Sequence, residues 1–186
     1  MIVRKTKETD ISAEIKITGG PVDISTGVGF FDHMLTALAV HADLGLKLHC
    51  VGDLEVDAHH TVEDCGIVLG QALAQAMGDK TGIARFGSAA IPMDEALAEA
   101  HADISGRPFL VFDAAFSQTI TGEFALCLVE EFFRAFVFHA GITLHLNLRY
   151  GANGHHEAEV LFKAAAHALR LALQPKEGVL STKGSI

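Results

Sequence analysis

The sequence predicts an α+β fold made by internal duplication: two similar halves, each a mixed sheet with two helices on one face. Two observations predict it. The pattern His-His-x-x-Glu occurs twice, as His59-His60-Thr61-Val62-Glu63 and His155-His156-Glu157-Ala158-Glu159. Each copy opens an apolar run of helical period, Val62 to Met77 and Val160 to Leu173. The segments around the two copies also recur in one order. Aligning Ile104-Ser105-Gly106-Arg107-Pro108 with Ile17-Thr18-Gly19-Gly20-Pro21 sets Glu95 opposite Glu8, and His33 to His41 spans the same interval as Glu131 to His139. The halves run from about 1 to 82 and from 83 to 175, with a tail at 176–186, and the whole chain is expected to be one domain.

From Thr9 to Thr18, Ile11, Ala13, Ile15 and Ile17 alternate with polar residues, the period of a half-buried strand. Met1 to Glu8 supplies its antiparallel partner, and Gly19-Gly20-Pro21 is a turn. A helical stripe then begins around Phe30-Phe31-Asp32-His33-Met34-Leu35, with Asp32 as its expected cap and His33 in its first turn. Leu44 to Cys50 and Leu54 to Asp57 read as strands that lead to His59. In the second half, Ile142-Thr143-Leu144-His145-Leu146 repeats the strand at Leu44-Gly45-Leu46-Lys47-Leu48.

Composition narrows the function. With 49% hydrophobic residues among 186, the chain can bury a substantial core. A net charge of -9 argues against nucleic acid or an anionic membrane as partner. The N-terminus turns acidic at Glu8 without an apolar run behind its basic residues, so no signal peptide is expected there. The apolar stretch from Phe124 to Leu146 is broken by Glu130, Glu131, Arg134, His139 and Gly141, so no membrane span is expected. Cys50, Cys65 and Cys127 read as small core residues of a cytoplasmic protein.

The His-His-x-x-Glu copies carry the chemistry. Successive helical residues are rotated by about 100°, so adjacent histidines diverge while residues four apart share a face. His59 can therefore share an ion with Glu63, and His155 with Glu159. One such motif is usually surface chemistry, but two on equivalent helices are what a divalent cation needs. Two ions use every donor. The repeat symmetry assigns His33, His60, His155 and Glu159 to one, and His59, Glu63, Glu131 and His156 to the other. Nitrogen and oxygen donors alone favour Mn(II) or Fe(II) in six-coordination over a closed structural zinc, and leave positions open for a substrate. If one chain cannot bring the motifs together, a subunit interface can complete the set. Lys163, one helical turn beyond Glu159, shares its face and is a candidate substrate contact.

Phe31-Asp32-His33-Met34-Leu35, both histidine motifs, Arg85-Phe86-Gly87, Asp94-Glu95-Ala96-Leu97, Ser105-Gly106-Arg107-Pro108, Glu131-Phe132-Phe133-Arg134, Gly141-Ile142-Thr143-Leu144-His145 and Ser181-Thr182-Lys183-Gly184 together resemble the imidazoleglycerol-phosphate dehydratase family. The resemblance runs from about Arg4 to Lys183. It implies removal of water from D-erythro-imidazole glycerol phosphate to give imidazole acetol phosphate in histidine biosynthesis, with two Mn(II) ions per active site. It implies Glu8 as the acid/base carboxylate, which also touches substrate, and Arg85, Arg107, Ser181, Thr182 and Lys183 as further substrate-binding residues. Family members commonly carry His where this sequence has Glu131. The resemblance also implies trimers assembled into a particle of 24 subunits, with metals helping to join chains.

Two other readings use the same donors. A binuclear metallohydrolase would activate a bridging water, and a metal-storage protein would need the ligands without Arg85, Arg107 and Lys183. The duplication and the matching basic positions favour the dehydratase.

Overall fold

The computed structural model describes residues 1–178 and 180–182. In the first half β1 (Ile2–Lys5), β2 (Thr9–Lys16) and β3 (Val22–Ser25) precede α1 (Gly29–His41), β4 (Gly45–Gly52) and α2 (His59–Met77). The second half repeats the series with β5 (Phe86–Met93), β6 (Ala96–Asp103), β7 (Phe109–Asp113), α3 (Leu128–Ala140), β10 (Thr143–Tyr150) and α4 (Gly154–Ala172). It adds one short hairpin ahead of α3, β8 (Ile120–Thr121) and β9 (Phe124–Ala125).

Both four-stranded sheets have the same connectivity, β1-β2-β4-β3 and β5-β6-β10-β7. In each sheet the third strand in chain order, β3 or β7, pairs in parallel with the last, β4 or β10, because a helix crosses over between them. The others pair antiparallel. The two halves are therefore alike, each a mixed sheet carrying two helices.

The halves meet through their helices, α2 against α3 and α1 against α4, while α2 also packs on β2 and α4 on β5 and β6. Small residues permit the α2–α3 contact. A Cβ on Gly66 would lie 2.7 Å from the Phe132 carbonyl oxygen, and one on Gly70 would lie 2.5 Å from that of Phe136. Phe31, Phe132, Phe133, Phe136 and Phe162 fill the space between helices and are fully buried. Phe132 stacks on Phe136 and Phe162 and meets Phe31 edge-on, so α1, α3 and α4 share one aromatic cluster. Each such ring contributes roughly 1.5–3 kcal/mol by burial.

Three local expectations change. Leu54–Asp57 is a turn, closed by Val56 N–H donating to Asp53 O, and the strand β3 lies earlier, after Pro21. Helix α1 starts at Gly29 with Val28 as cap, so His33 sits past the first turn. Asp32 instead accepts from the Thr26 backbone N–H and hydroxyl, pinning the entering loop to the helix. Cys50 and Cys65 are buried as expected, but Cys127 is exposed at the start of α3, where the chain has just left the β8–β9 hairpin. Among the described residues no helix is long and apolar enough to cross a membrane.

Candidate metal centre

Helix α4 begins cleanly because the Asn153 side chain accepts from the His155 and His156 N–H groups, satisfying two free donors of the first turn. This holds His155 and Glu159 on one face. Packing of α1 against α4 then brings in His33 from the other half. His33 Nε2 lies 3.3 Å and His155 Nε2 3.2 Å from the same oxygen, Glu159 Oε2. The three donor atoms lie within 4.8 Å of one another, and among the described residues they are the one such group of three. Metal–ligand bonds of about 2.1 Å put neighbouring donors about 3 Å apart, so the set fits a borderline or hard divalent ion.

Glu159 is built to remain anionic. Its other oxygen, Oε1, accepts from Lys163 Nζ at 2.7 Å, and its side chain is only 9% exposed. Burial alone would raise its pKa, but Lys163 and then His33 more than offset this and hold the carboxyl below its ordinary range. Lys163 is thus occupied by the Glu159 carboxylate, with Met93 Sδ as its next neighbour.

The remaining sequence-nominated ligands lie elsewhere within the chain. His60 is apart from the cluster. Its Nδ1 is 3.0 Å from Asp53 Oδ2, and its Nε2 is 3.9 Å from Glu8 Oε1. The hydrogen bond to Asp53 is the main reason its pKa rises. His59 and Glu63 face each other at 3.7 Å, with Glu63 46% exposed. Glu131 directs both carboxylate oxygens to Arg134 Nη1, while Arg134 Nη2 donates to Glu130. His156 Nδ1 is 2.8 Å from Glu95 Oε2, a contact that raises the histidine's pKa and lowers the carboxylate's.

Glu8 stands on the β1–β2 turn, which is closed by Thr6: its hydroxyl accepts from the Glu8 and Thr9 N–H groups. Thr9 in turn donates to the buried carboxylate of Asp64 on α2, which also takes Arg4 at 3.0 Å. Strand and helix are so tied together beneath Glu8.

Arg85 and Arg107 converge on Asp103 at the far end of β6. Arg85 Nε donates to Asp103 Oδ1 at 2.7 Å and Nη1 to the Leu180 carbonyl at 2.6 Å, while Arg107 Nη2 is 3.5 Å from Asp103 Oδ2. The Asp103 hydrogen bond pushes the Arg85 guanidinium further up. Leu180 brings Ser181 and Thr182 to the same corner; Lys183 lies outside the described residues. The Arg85 N–H donates to Ala172 O, at the last residue of α4, whereas His155 is in that helix's first turn. Ala172 lies 17 residues beyond His155 and 13 beyond Glu159 on this helix, so the basic corner and the His33–His155–Glu159 group are about 20–26 Å apart along its axis, far beyond an Arg side chain's reach.

Asp53, Glu95 as a histidine partner, and Asp103 were not identifiable from helical spacing. Glu95 alone carried a signal, as the repeat counterpart of Glu8.

The family model for imidazoleglycerol-phosphate dehydratase matches residues 26–169. Proteins named imidazoleglycerol-phosphate dehydratase are 55% identical in Alkaliphilus metalliredigens, over 98% of this chain and 96% of that protein, and 56% identical in Acidiphilium cryptum, with the same coverage. The crystal structure of the Staphylococcus aureus dehydratase superposes with a TM-score of 0.85 at 44% identity, covering 94% of this chain and 98% of that one. That of the Pyrococcus furiosus protein, in complex with (S)-C348, gives 0.88 at 38% identity, covering both chains fully. With the same fold over its whole length and a family match across both histidine motifs, the chain belongs to the imidazoleglycerol-phosphate dehydratase family.

Proposed function

We propose that this hydro-lyase removes water from D-erythro-imidazole glycerol phosphate to give imidazole acetol phosphate in histidine biosynthesis, using two Mn(II) ions per active site in preference to Fe(II) or Zn(II). The observation that carries the metal reading is the convergence of His33, His155 and Glu159 on one small space. Held by His33, His155 and Glu159, a divalent ion would supply Lewis acidity toward the substrate's imidazole. The chain's own residues do the rest. Lys163 keeps Glu159 ionised and aimed. Glu8, half exposed beside His60, is the carboxylate positioned to carry a proton. Arg85 and Arg107 offer planar donor forks to phosphate oxygens, with Ser181, Thr182 and Lys183 from the following segment.

One copy cannot apply both ends of this machinery to one small substrate, because about 20–26 Å separates them. The proposal therefore includes a homo-oligomer, trimers assembled to 24 subunits, in which a neighbouring copy supplies the basic corner and completes the set of His59, Glu63, Glu131 and His156. Exposed Phe109, Phe138 and Tyr150 support such contacts, since large apolar side chains favour cover. The proposal treats residues 1–186 as one catalytic domain working in the cytoplasm, where free Cys50, Cys65 and Cys127 would persist.

The test is an assay of imidazoleglycerol phosphate with Mn(II) and with chelator. Ketone product should form only with metal. No turnover in either condition refutes the substrate, and full turnover in protein shown metal-free by elemental analysis refutes the metal.

A further inference from the structure

Each His-His pair contains one histidine whose Nδ1 is held by a carboxylate, and the two carboxylates come from different places in the repeat. In the first half Asp53, just after β4, meets His60 at 3.0 Å. In the second, Glu95 on the β5–β6 turn meets His156 at 2.8 Å. Glu95 is the repeat counterpart of Glu8, not of Asp53, so duplication alone does not explain why both histidines receive the same contact.

Both residues are themselves held, Asp53 through its main chain and Glu95 through its carboxylate. The Asp53 N–H donates to Glu8 O and the Asp53 carbonyl accepts from Val56, so the residue is clamped at both ends of its peptide. Glu95 Oε1 accepts from the Ala152 N–H just ahead of α4 while Oε2 takes His156. A neutral imidazole donates from one nitrogen and accepts at the other. An acceptor fixed on Nδ1 therefore places the proton there and leaves the Nε2 lone pair free for a cation. On the other side, the acidic group near His60 Nε2 is Glu8 at 3.9 Å, and the one near His156 Nε2 is Asp94 at 3.8 Å. Neither is in hydrogen-bond range.

We propose that Asp53 and Glu95 are positioning residues that set the tautomer and ring orientation of His60 and His156, so that each presents Nε2 to a divalent ion. This rests on the reading of His60 and His156 as metal ligands and extends it to groups outside the motifs. Such partners orient the ligand without touching the metal, and their removal typically costs about 10–100-fold in metal affinity.

Mn(II) titrations followed by the electron paramagnetic resonance signal of free aqueous Mn(II) test this on the full-length protein. Asp53→Ala and Glu95→Ala should each weaken one class of site by about 10–100-fold, with Asp53→Asn and Glu95→Gln recovering part of the loss because the amide oxygen still accepts from Nδ1–H. Nitrogen-15 spectra of the metal-free protein should show His60 losing its Nδ1–H tautomer in Asp53→Ala. Unchanged Mn(II) affinity in both Ala variants would overturn the proposal, as would a lowered Tm of the metal-free protein with affinity intact, which is what a merely structural tie predicts. His60→Ala and His156→Ala run alongside. If they too leave Mn(II) binding unchanged, the ligand reading itself has failed, and the two failures are distinguished.

Discussion

The two copies of His-His-x-x-Glu share one pattern and stand at the starts of equivalent helices, yet their surroundings differ sharply. On α4, His155 and Glu159 gain a third donor, His33, and the carboxylate is nearly buried and paired with Lys163. On α2, His59 and Glu63 gain no third donor among the described residues, and Glu63 is open to solvent. The residue four beyond Glu63 is Ile67, where the other copy has Lys163. Packing explains the rest. Helix α1 brings a histidine to α4, while at the corresponding place on α3 stands Glu131, held by Arg134. A motif repeated in sequence is thus part of a three-donor cluster in one place and an open two-donor pair in the other, and it is the proposed oligomer that would complete the second.

The largest effect should follow from breaking the closed copy. Glu159→Ala removes the oxygen shared by both histidines and leaves Lys163 without its carboxylate, so metal at that ion and turnover should both fall to background in elemental analysis and assay. Glu63→Ala should cost less in the isolated chain and as much in the assembled enzyme, a contrast that Mn(II) titration at low and high protein concentration reads directly.

Exchanging the residue that distinguishes the copies is a milder test. Lys163→Ile gives the closed copy the neighbour of the open one and should weaken its ion by about 10–100-fold, the scale of a partner that orients a ligand. Isothermal titration of the metal-free protein measures it. Ile67→Lys, which gives Glu63 the partner that Glu159 has in Lys163, should tighten the other ion in the same assay.

The smallest effect is expected at Glu131. Replacement by Ala should weaken one ion selectively, whereas Glu131→His should preserve it. Unchanged metal content and rate in the Ala variant would mean that the repeat alignment of His33 with Glu131 does not reflect a shared role.

Much of this architecture was legible because the duplication kept strand and helix lengths: Thr9–Lys16 and Ala96–Asp103 are both eight residues, with Glu8 and Glu95 at matching turns. Strand β3 was not, since four residues after Pro21 give too short an alternation to separate from the turn. Hairpin β8–β9 has no counterpart in the first half to reveal it. In the site, helical spacing exposes pairs such as His155 and Glu159, which share one helix. Contacts set by loop placement, Asp53 on His60 and Glu95 on His156, obey no such period. Nor could spacing show that Arg85 and Arg107 stand at the opposite end of α4 from His155 and Glu159, because that separation arises from how β5 and β6 lie along the helix.

That separation gives the central claim its direct test. Glu159→Gln and Arg107→Ala copies, each expected to be inactive when expressed alone, can be co-expressed with different tags and the mixed particles isolated. If a metal cluster of one copy works with the basic corner of another, random pairing leaves about a quarter of the sites free of both substitutions, and turnover of imidazoleglycerol phosphate should return to about that fraction of the unsubstituted enzyme's rate. Mixed particles that bind Mn(II) but remain at background would contradict the account, because each active site would then have to lie within a single chain.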